Sequence, residues 1–192
     1  MPQHMRTILF ACTGNTCRSP LAEAIARRAL QGDPALAKIA AKDDVFIASA
    51  GISALDGMPV TAETIDALRR MKIEHSGRSK KLTEAMIRKA SLVVCMTAAH
   101  QAAARGLVAD SASDQAKIVL LDPENGDIED PIGQGQREYD ALGRRLAELI
   151  PTRLKDLLKP AGAAAAAGAA ATAAAAPRAS PRAARKSGKA AE

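Results

Sequence analysis

The sequence predicts an α/β fold, a parallel sheet covered by helices on both faces. Three observations carry this. Residues 6–11, 45–48, 92–96 and 118–121 are short apolar runs, as strands buried on both faces require. Segments with apolar residues every three to four positions alternate with them, the pattern of strand–helix–strand units. The first run ends in a small-residue loop that leads straight into a helix start. Open sheets of this kind bind ligands at their carboxyl end, where that loop falls.

The first strand, 6–11, feeds Cys12-Thr13-Gly14-Asn15-Thr16-Cys17-Arg18-Ser19-Pro20. A cysteine and an arginine with five residues between them suit a loop that wraps one phosphate. Backbone N–H groups between Thr13 and Arg18 can turn inward as an anion nest. The following helix adds the positive end of its dipole at the same point. Arg18 can grip two phosphate oxygens with its planar fork. Cys12 then sits among these donors as a thiolate nucleophile. Gly14 and Asn15 are residue types that readily take the left-handed backbone angles a curled loop needs. Ser19 can donate to the Cys12 sulfur, and Pro20 suits a first helical turn. The candidate phosphate-binding residues are therefore Thr13, Gly14, Asn15, Thr16, Cys17, Arg18 and Ser19.

The helix over 18–31 buries Leu21, Ala22, Ile25, Ala29 and Leu30, and Gly32-Asp33-Pro34 ends it. Val45-Phe46-Ile47-Ala48 is the second strand, after which Ser49-Ala50-Gly51 opens a loop running past Pro59. Thr61 caps a helix to about Met71, and Thr83 caps a short one over 84–89. The third strand, 92–96, precedes a helix over 98–105, and the fourth strand is 118–121. A polar loop, 122–135, carries two Asp-Pro pairs. A long amphipathic helix closes the domain with Tyr139, Leu142, Leu146, Leu149, Ile150, Leu154 and Leu157 inward, and Pro151 is expected to kink or divide it.

Composition sets further bounds. The 192 residues are 47% hydrophobic and only 2% aromatic, so aliphatic side chains fill the core of one domain. The net charge of +6 is concentrated beyond Pro160, where five basic residues face one acid. Residues 161–192, rich in Ala with Pro, Ser, Arg and Lys, cannot build a core and are expected to be a disordered basic tail. Its charge offers a weak tether for a polyanion such as nucleic acid. Three cysteines, two of them in one loop, fit a reducing cytoplasm rather than a disulfide framework. Neither a signal peptide nor a membrane span is expected. Clustered metal-ligating side chains are lacking, so the chemistry needs no metal or cofactor. Cys95 lies in an apolar strand and reads as inert core. Cys17 has two open readings: a small loop residue, or a partner for a reversible disulfide with Cys12. His4 and His100 are assigned no role.

Cys12 to Pro20, together with the later motifs, resembles the phosphate loop of the low-molecular-weight protein-tyrosine-phosphatase family. That family includes bacterial protein-arginine phosphatases and is related to thioredoxin-linked arsenate reductases. The resemblance covers about residues 6 to 158, so residues 1–160 read as one phosphatase domain, expected to be a monomer. It implies a flavodoxin-like doubly wound sheet of four parallel strands. It also implies hydrolysis of phosphoprotein substrates through a phosphocysteine on Cys12, with Asp130 of Asp130-Pro131 as general acid. Asp122-Pro123 is the competing pair, but an acid must reach the site from a loop, which favours Asp130. Ser49 and His75 fall where the family places residues that brace Asn15 and Ser19.

The phosphate carrier is read from what surrounds the loop. Tyrosine-specific relatives have aromatic residues after the Asp-Pro, where Ile132-Gly133 stands here. They carry an aliphatic residue at the position of Thr16, where arginine-specific relatives carry Thr. Phosphoarginine is therefore favoured, with a strict phosphotyrosine phosphatase as the alternative. An arsenate reductase would need a further cysteine pair, and only Cys95 remains. A silent phosphate-binding module is the other reading, against which Cys12, Arg18 and Asp130 are all intact.

Overall fold

The structure, a computed structural model, describes residues 5–159. Its strands are β1 (Arg6–Cys12), β2 (Val45–Gly51), β3 (Leu92–Cys95) and β4 (Ile118–Leu120). They run parallel in the order β2-β1-β3-β4, the flavodoxin-like sheet expected. Alternation along β1 shows that both faces are covered. Ile8, Phe10 and Cys12 enter one buried cluster, and Leu9 and Ala11 enter the other. This is why the strand reads as an unbroken apolar run.

The helices are α1 (Arg18–Gly32), α2 (Pro34–Lys42), α3 (Ala62–Arg70), α4 (Glu84–Lys89), α5 (Ala98–Gly106), α6 (Ala112–Ala116) and α7 (Gln136–Leu158). α1, α2, α3 and α7 supply the first cluster through Leu21, Leu36, Leu68 and Leu146. α4 and α5 supply the second through Ile87 and Ala104. The first half of α1 is buried from Arg18 to Ala26, so the helix that begins at the loop is held on all sides there.

Four details depart from the sequence expectation. Asp33-Pro34 does more than end α1. Asp33 accepts from Ala35 N–H and Leu36 N–H, with Pro34 at the first helical position, so it starts α2. Ser111 caps α6 in the same manner. β2 continues past Ala48 because its pairing with β1 runs to Cys12 opposite Gly51. Pro151 does not divide α7, which runs unbroken from Gln136 to Leu158. A mid-helix proline costs roughly 3 kcal/mol. Fully buried Ile150 and Leu154 on either side of it offset that cost by packing. The expectations for the tail and for His4 lie outside the described residues. Among the described residues, no helix is long and apolar enough to cross a membrane.

Candidate active site

The loop between β1 and α1 curls around the Cys12 sulfur. Asn15 N–H donates to Cys12 Sγ at 3.3 Å, and Ser19 Oγ lies 3.0 Å from it. Asn15 has φ +54°, the left-handed region that Asn tolerates. Gly14 does not share that conformation, contrary to expectation; the chain turns at Asn15 alone. Cys17, at the N-cap of α1, makes no side-chain cap, which leaves the first-turn amides free for an anion. Among the described residues, the amides of Gly14, Thr16 and Cys17 donate to no protein group either. The loop thus holds one amide on the Cys12 sulfur and several more without a protein acceptor.

Valence gives direction to the side chains behind it. Asn15 Nδ2 donates to Ser19 Oγ at 2.9 Å and to Ser49 Oγ at 2.8 Å, while its Oδ1 accepts Lys80 N–H at 2.8 Å. Ser19 Oγ accepts from Asn15 Nδ2, and its own hydrogen has two acceptors in reach, Cys12 Sγ at 3.0 Å and, more distant, Ala50 O at 3.4 Å. Ser49 Oγ in turn donates to Glu23 Oε2 at 2.5 Å, and Glu23 Oε1 pairs with Arg27 at 2.7 Å. Asn15, Ser19, Glu23 and Ser49 are all buried. A buried network in which every member is satisfied holds one geometry.

Glu23 and His75 depart from the sequence expectation. Glu23 was not foreseen, because a charged residue on an amphipathic helix reads as solvent-facing. Its only sequence signal is the Glu23–Arg27 spacing of four. His75, expected to brace the loop, makes no hydrogen bond to Asn15 or Ser19 among the described residues. It lines a cavity of about 1030 Å³ with Glu23, Arg27 and Lys80. The bracing comes instead from Lys80 N–H on Asn15 and Glu23 on Ser49.

Arg18 lies 5% exposed at the mouth of the loop. Nη1 donates to Ile128 O at 3.1 Å, and Nη2 donates to Thr13 Oγ1 at 3.2 Å and to Asp130 Oδ2 at 2.5 Å. Asp130 is therefore brought to the loop, its half-exposed carboxylate paired with Arg18. Asp122 is not. It is buried and accepts from Asn125 N–H, Asn125 Nδ2 and Arg145. Burial works to raise its pKa, but those hydrogen bonds outweigh it and hold the carboxyl below its ordinary value.

Cys17 Sγ faces the core side, 3.3 Å from the buried Tyr139 hydroxyl and 3.7 Å from Thr61 Oγ1. All three cysteines are free thiols. Burial pushes the Cys95 thiol up to about 12, which keeps it protonated and inert.

His75 and His100 are both held below the ordinary 6.5, chiefly by burial. The folded state then binds fewer protons than the unfolded chain once the pH falls below 6.5. Stability is expected to be full above that value and to drop as the pH falls toward the lower folded pKa values. Denaturant melts at about pH 7.5 and about pH 5.5 check this. Replacing both histidines by Gln should reduce the difference between the two melts, and an unchanged difference contradicts the assignment.

A buried thiol touched by Asn15 N–H and Ser19 Oγ, loop amides without a protein acceptor among the described residues, and Arg18 ion-paired with Asp130 at the carboxyl edge of a parallel sheet define an α/β protein with a site shaped for an oxyanion. Comparison with known proteins gives the family. The family model described as "Low molecular weight phosphotyrosine protein phosphatase" matches residues 7–170, and the chain belongs to that family. A probable low molecular weight protein-tyrosine-phosphatase of Ralstonia solanacearum is 33% identical over 141 residues, 72% of this chain and 87% of the relative. The protein-arginine-phosphatase of Bacillus subtilis is 32% identical over 155 residues, 79% of this chain and 97% of the relative. Among solved structures, the YwlE arginine phosphatase, as a Cys-to-Ser mutant with a phosphorylated active-site serine, superimposes with a TM-score of 0.69. It is 29% identical, over 81% of this chain and 97% of its own.

Proposed function

We propose that the chain hydrolyses phosphoproteins through a phosphocysteine on Cys12 and prefers phosphoarginine to phosphotyrosine. The observation that carries the chemistry is the convergence of Asn15 N–H and Ser19 Oγ on the Cys12 sulfur beside the Arg18–Asp130 pair. A substrate phosphate takes the place of the Asp130 carboxylate on the Arg18 fork, and the released carboxylate takes up a proton from solvent to become the acid. Cys12 Sγ then forms a bond to phosphorus as the bond to the leaving nitrogen or oxygen breaks, and Asp130 protonates the leaving atom. Loop amides and Arg18 hold the equatorial oxygens. Water, deprotonated by Asp130, attacks the phosphocysteine, and Ser19 stabilises the departing thiolate. The phosphorylated active-site serine of the YwlE mutant supports a covalent route for this fold.

The preference rests on the aromatic residues. The chain has two Phe and one Tyr. Phe10 and Tyr139 are buried, and Phe46 lies under Arg27 near the start of β2, opposite Thr7 and away from Cys12. No aromatic wall is left to clasp a phenol ring. Thr16 is half-buried in the loop, its Oγ1 3.5 Å from Cys17 Sγ, so a hydroxyl stands where a ring would need an aliphatic contact. The relatives include proteins named as protein-arginine-phosphatases, which support this reading, beside others named as protein-tyrosine-phosphatases.

Turnover of phosphoarginine and phosphotyrosine peptides, side by side, tests the reading. The wild type is expected to favour phosphoarginine by about tenfold in kcat/KM, and Thr16→Ile to move the ratio toward phosphotyrosine by a similar factor. A wild type that favours phosphotyrosine, or a ratio that Thr16→Ile leaves in place, overturns the preference.

A further inference from the structure

His100 ends a chain of hydrogen bonds that starts at the Arg18 guanidinium. Arg18 Nη2 donates to Thr13 Oγ1 at 3.2 Å, and Thr13 Oγ1 lies 2.8 Å from His100 Nε2. The other ring nitrogen, Nδ1, lies 2.8 Å from Thr97 Oγ1, which also accepts His100 N–H at the start of α5. His100 is 7% exposed, so its ring is held in place, while Thr13 is exposed and Thr97 half-buried, leaving both contacts part-buried.

Direction follows from the donors. A guanidinium only donates, so Thr13 Oγ1 accepts from Arg18 and its own proton is left for His100. An oxygen polarised by a cation is the better donor, and a bare ring nitrogen facing a cation is favoured over an N–H aimed at it. The Nδ1 proton then goes to Thr97 Oγ1. We propose that His100 is a positioning residue: neutral, with its proton on Nδ1, it accepts the Thr13 hydroxyl and thereby keeps the Arg18 fork aligned at the phosphate site. This rests on Arg18 being the phosphate clamp.

The role matters at the moment of binding. In the resting structure Arg18 is held by three partners: Ile128 O, Thr13 Oγ1 and Asp130. When phosphate displaces Asp130, the fork keeps only the backbone oxygen on Nη1 and Thr13 on Nη2. Without His100 the Thr13 side chain can rotate, and one of those two anchors goes. The charged groups acting on the ring are Arg18 from α1 and Asp127 and Asp130 from the segment after β4. Burial comes first and Arg18 second in lowering its pKa, while the two carboxylates oppose them, so the ring stays neutral near pH 7. Protonation would turn Nε2 into a donor and deprive Thr13 of its acceptor.

The experiment uses the full chain and has three readouts. In 15N-histidine NMR at neutral pH, His100 is expected to show an unprotonated Nε2 and a protonated Nδ1. His100→Ala is expected to lower kcat/KM about tenfold and to weaken inhibition by inorganic phosphate by a similar factor. His100→Gln, whose side-chain oxygen can accept from Thr13, is expected to recover most of both losses. Combining Thr13→Val with His100→Ala should cost no more than the larger single change. A protonated Nε2, equal losses in the Ala and Gln variants, or additive costs overturns the proposal. Should the wild type turn over no phosphorylated substrate, the phosphatase reading falls by itself, and the ring tautomer together with inorganic phosphate binding, followed by 31P NMR titration, still decides the role of His100.

Discussion

Cys12→Ser is expected to end steady-state turnover, with a loss of at least about a thousandfold in kcat on every phosphorylated substrate. A serine hydroxyl is a far weaker nucleophile than a thiolate, and a worse leaving group once phosphorylated. The loop does not depend on the sulfur for its shape. Asn15 is held by Ser19, Ser49 and Lys80, and Thr13 O accepts Ser53 N–H. Inorganic phosphate is therefore expected to bind the variant within about fivefold of the wild type, because Arg18 and the amides remain. The melting temperature should change little. A serine variant that stays active would remove Cys12 from the mechanism. A variant that also loses phosphate binding would mean the sulfur holds the loop together.

Gly51→Ala is expected to damage the same site without touching a reacting atom. Gly51 pairs with Cys12 at the carboxyl edge of the sheet. A Cβ there would stand 2.5 Å from Thr13 O and 2.8 Å from Asn15 N, both backbone, and 2.9 Å from Ala54 Cβ. Neither loop atom can retreat cheaply, since Thr13 O accepts Ser53 N–H and Asn15 N–H donates to Cys12 Sγ. Overpacking of this kind costs roughly 1–3 kcal/mol of stability. Displacing the Asn15 amide and its neighbours should lower kcat/KM by about a hundredfold. Thermal melts and kinetics on one preparation check both effects. Activity within about threefold of the wild type would show that the loop yields more easily than its bonding implies.

Much of this was readable before the structure. The apolar runs and the helical periods gave the layered sheet, and Cys12 to Ser19 announced the anion loop, because unbroken apolar runs and 3.6-residue periods survive into the fold. What escaped depended on tertiary placement. Glu23 looks like any acid on a helix until Ser49 and Arg27 meet it. His100 lies far along the chain from Thr13, and nothing local links them. Gly14 was credited with a turn that Asn15 makes alone. His75 was placed by resemblance at the loop, whereas its ring lines the cavity beside Glu23. α2 is hidden in the sequence because Asp33-Pro34 both stops one helix and starts another, and the stop is the more legible signal.

The central claim is that phosphorus passes through the Cys12 sulfur. Rapid acid quench of the wild type during turnover, followed by mass spectrometry of the peptide that contains the loop, tests it most directly. The mechanism predicts one phosphoryl group, localised by fragmentation to Cys12 and absent from Cys12→Ala. Phosphorus on Cys17 or any other residue, or none while turnover proceeds at a rate that should populate the intermediate, would contradict it.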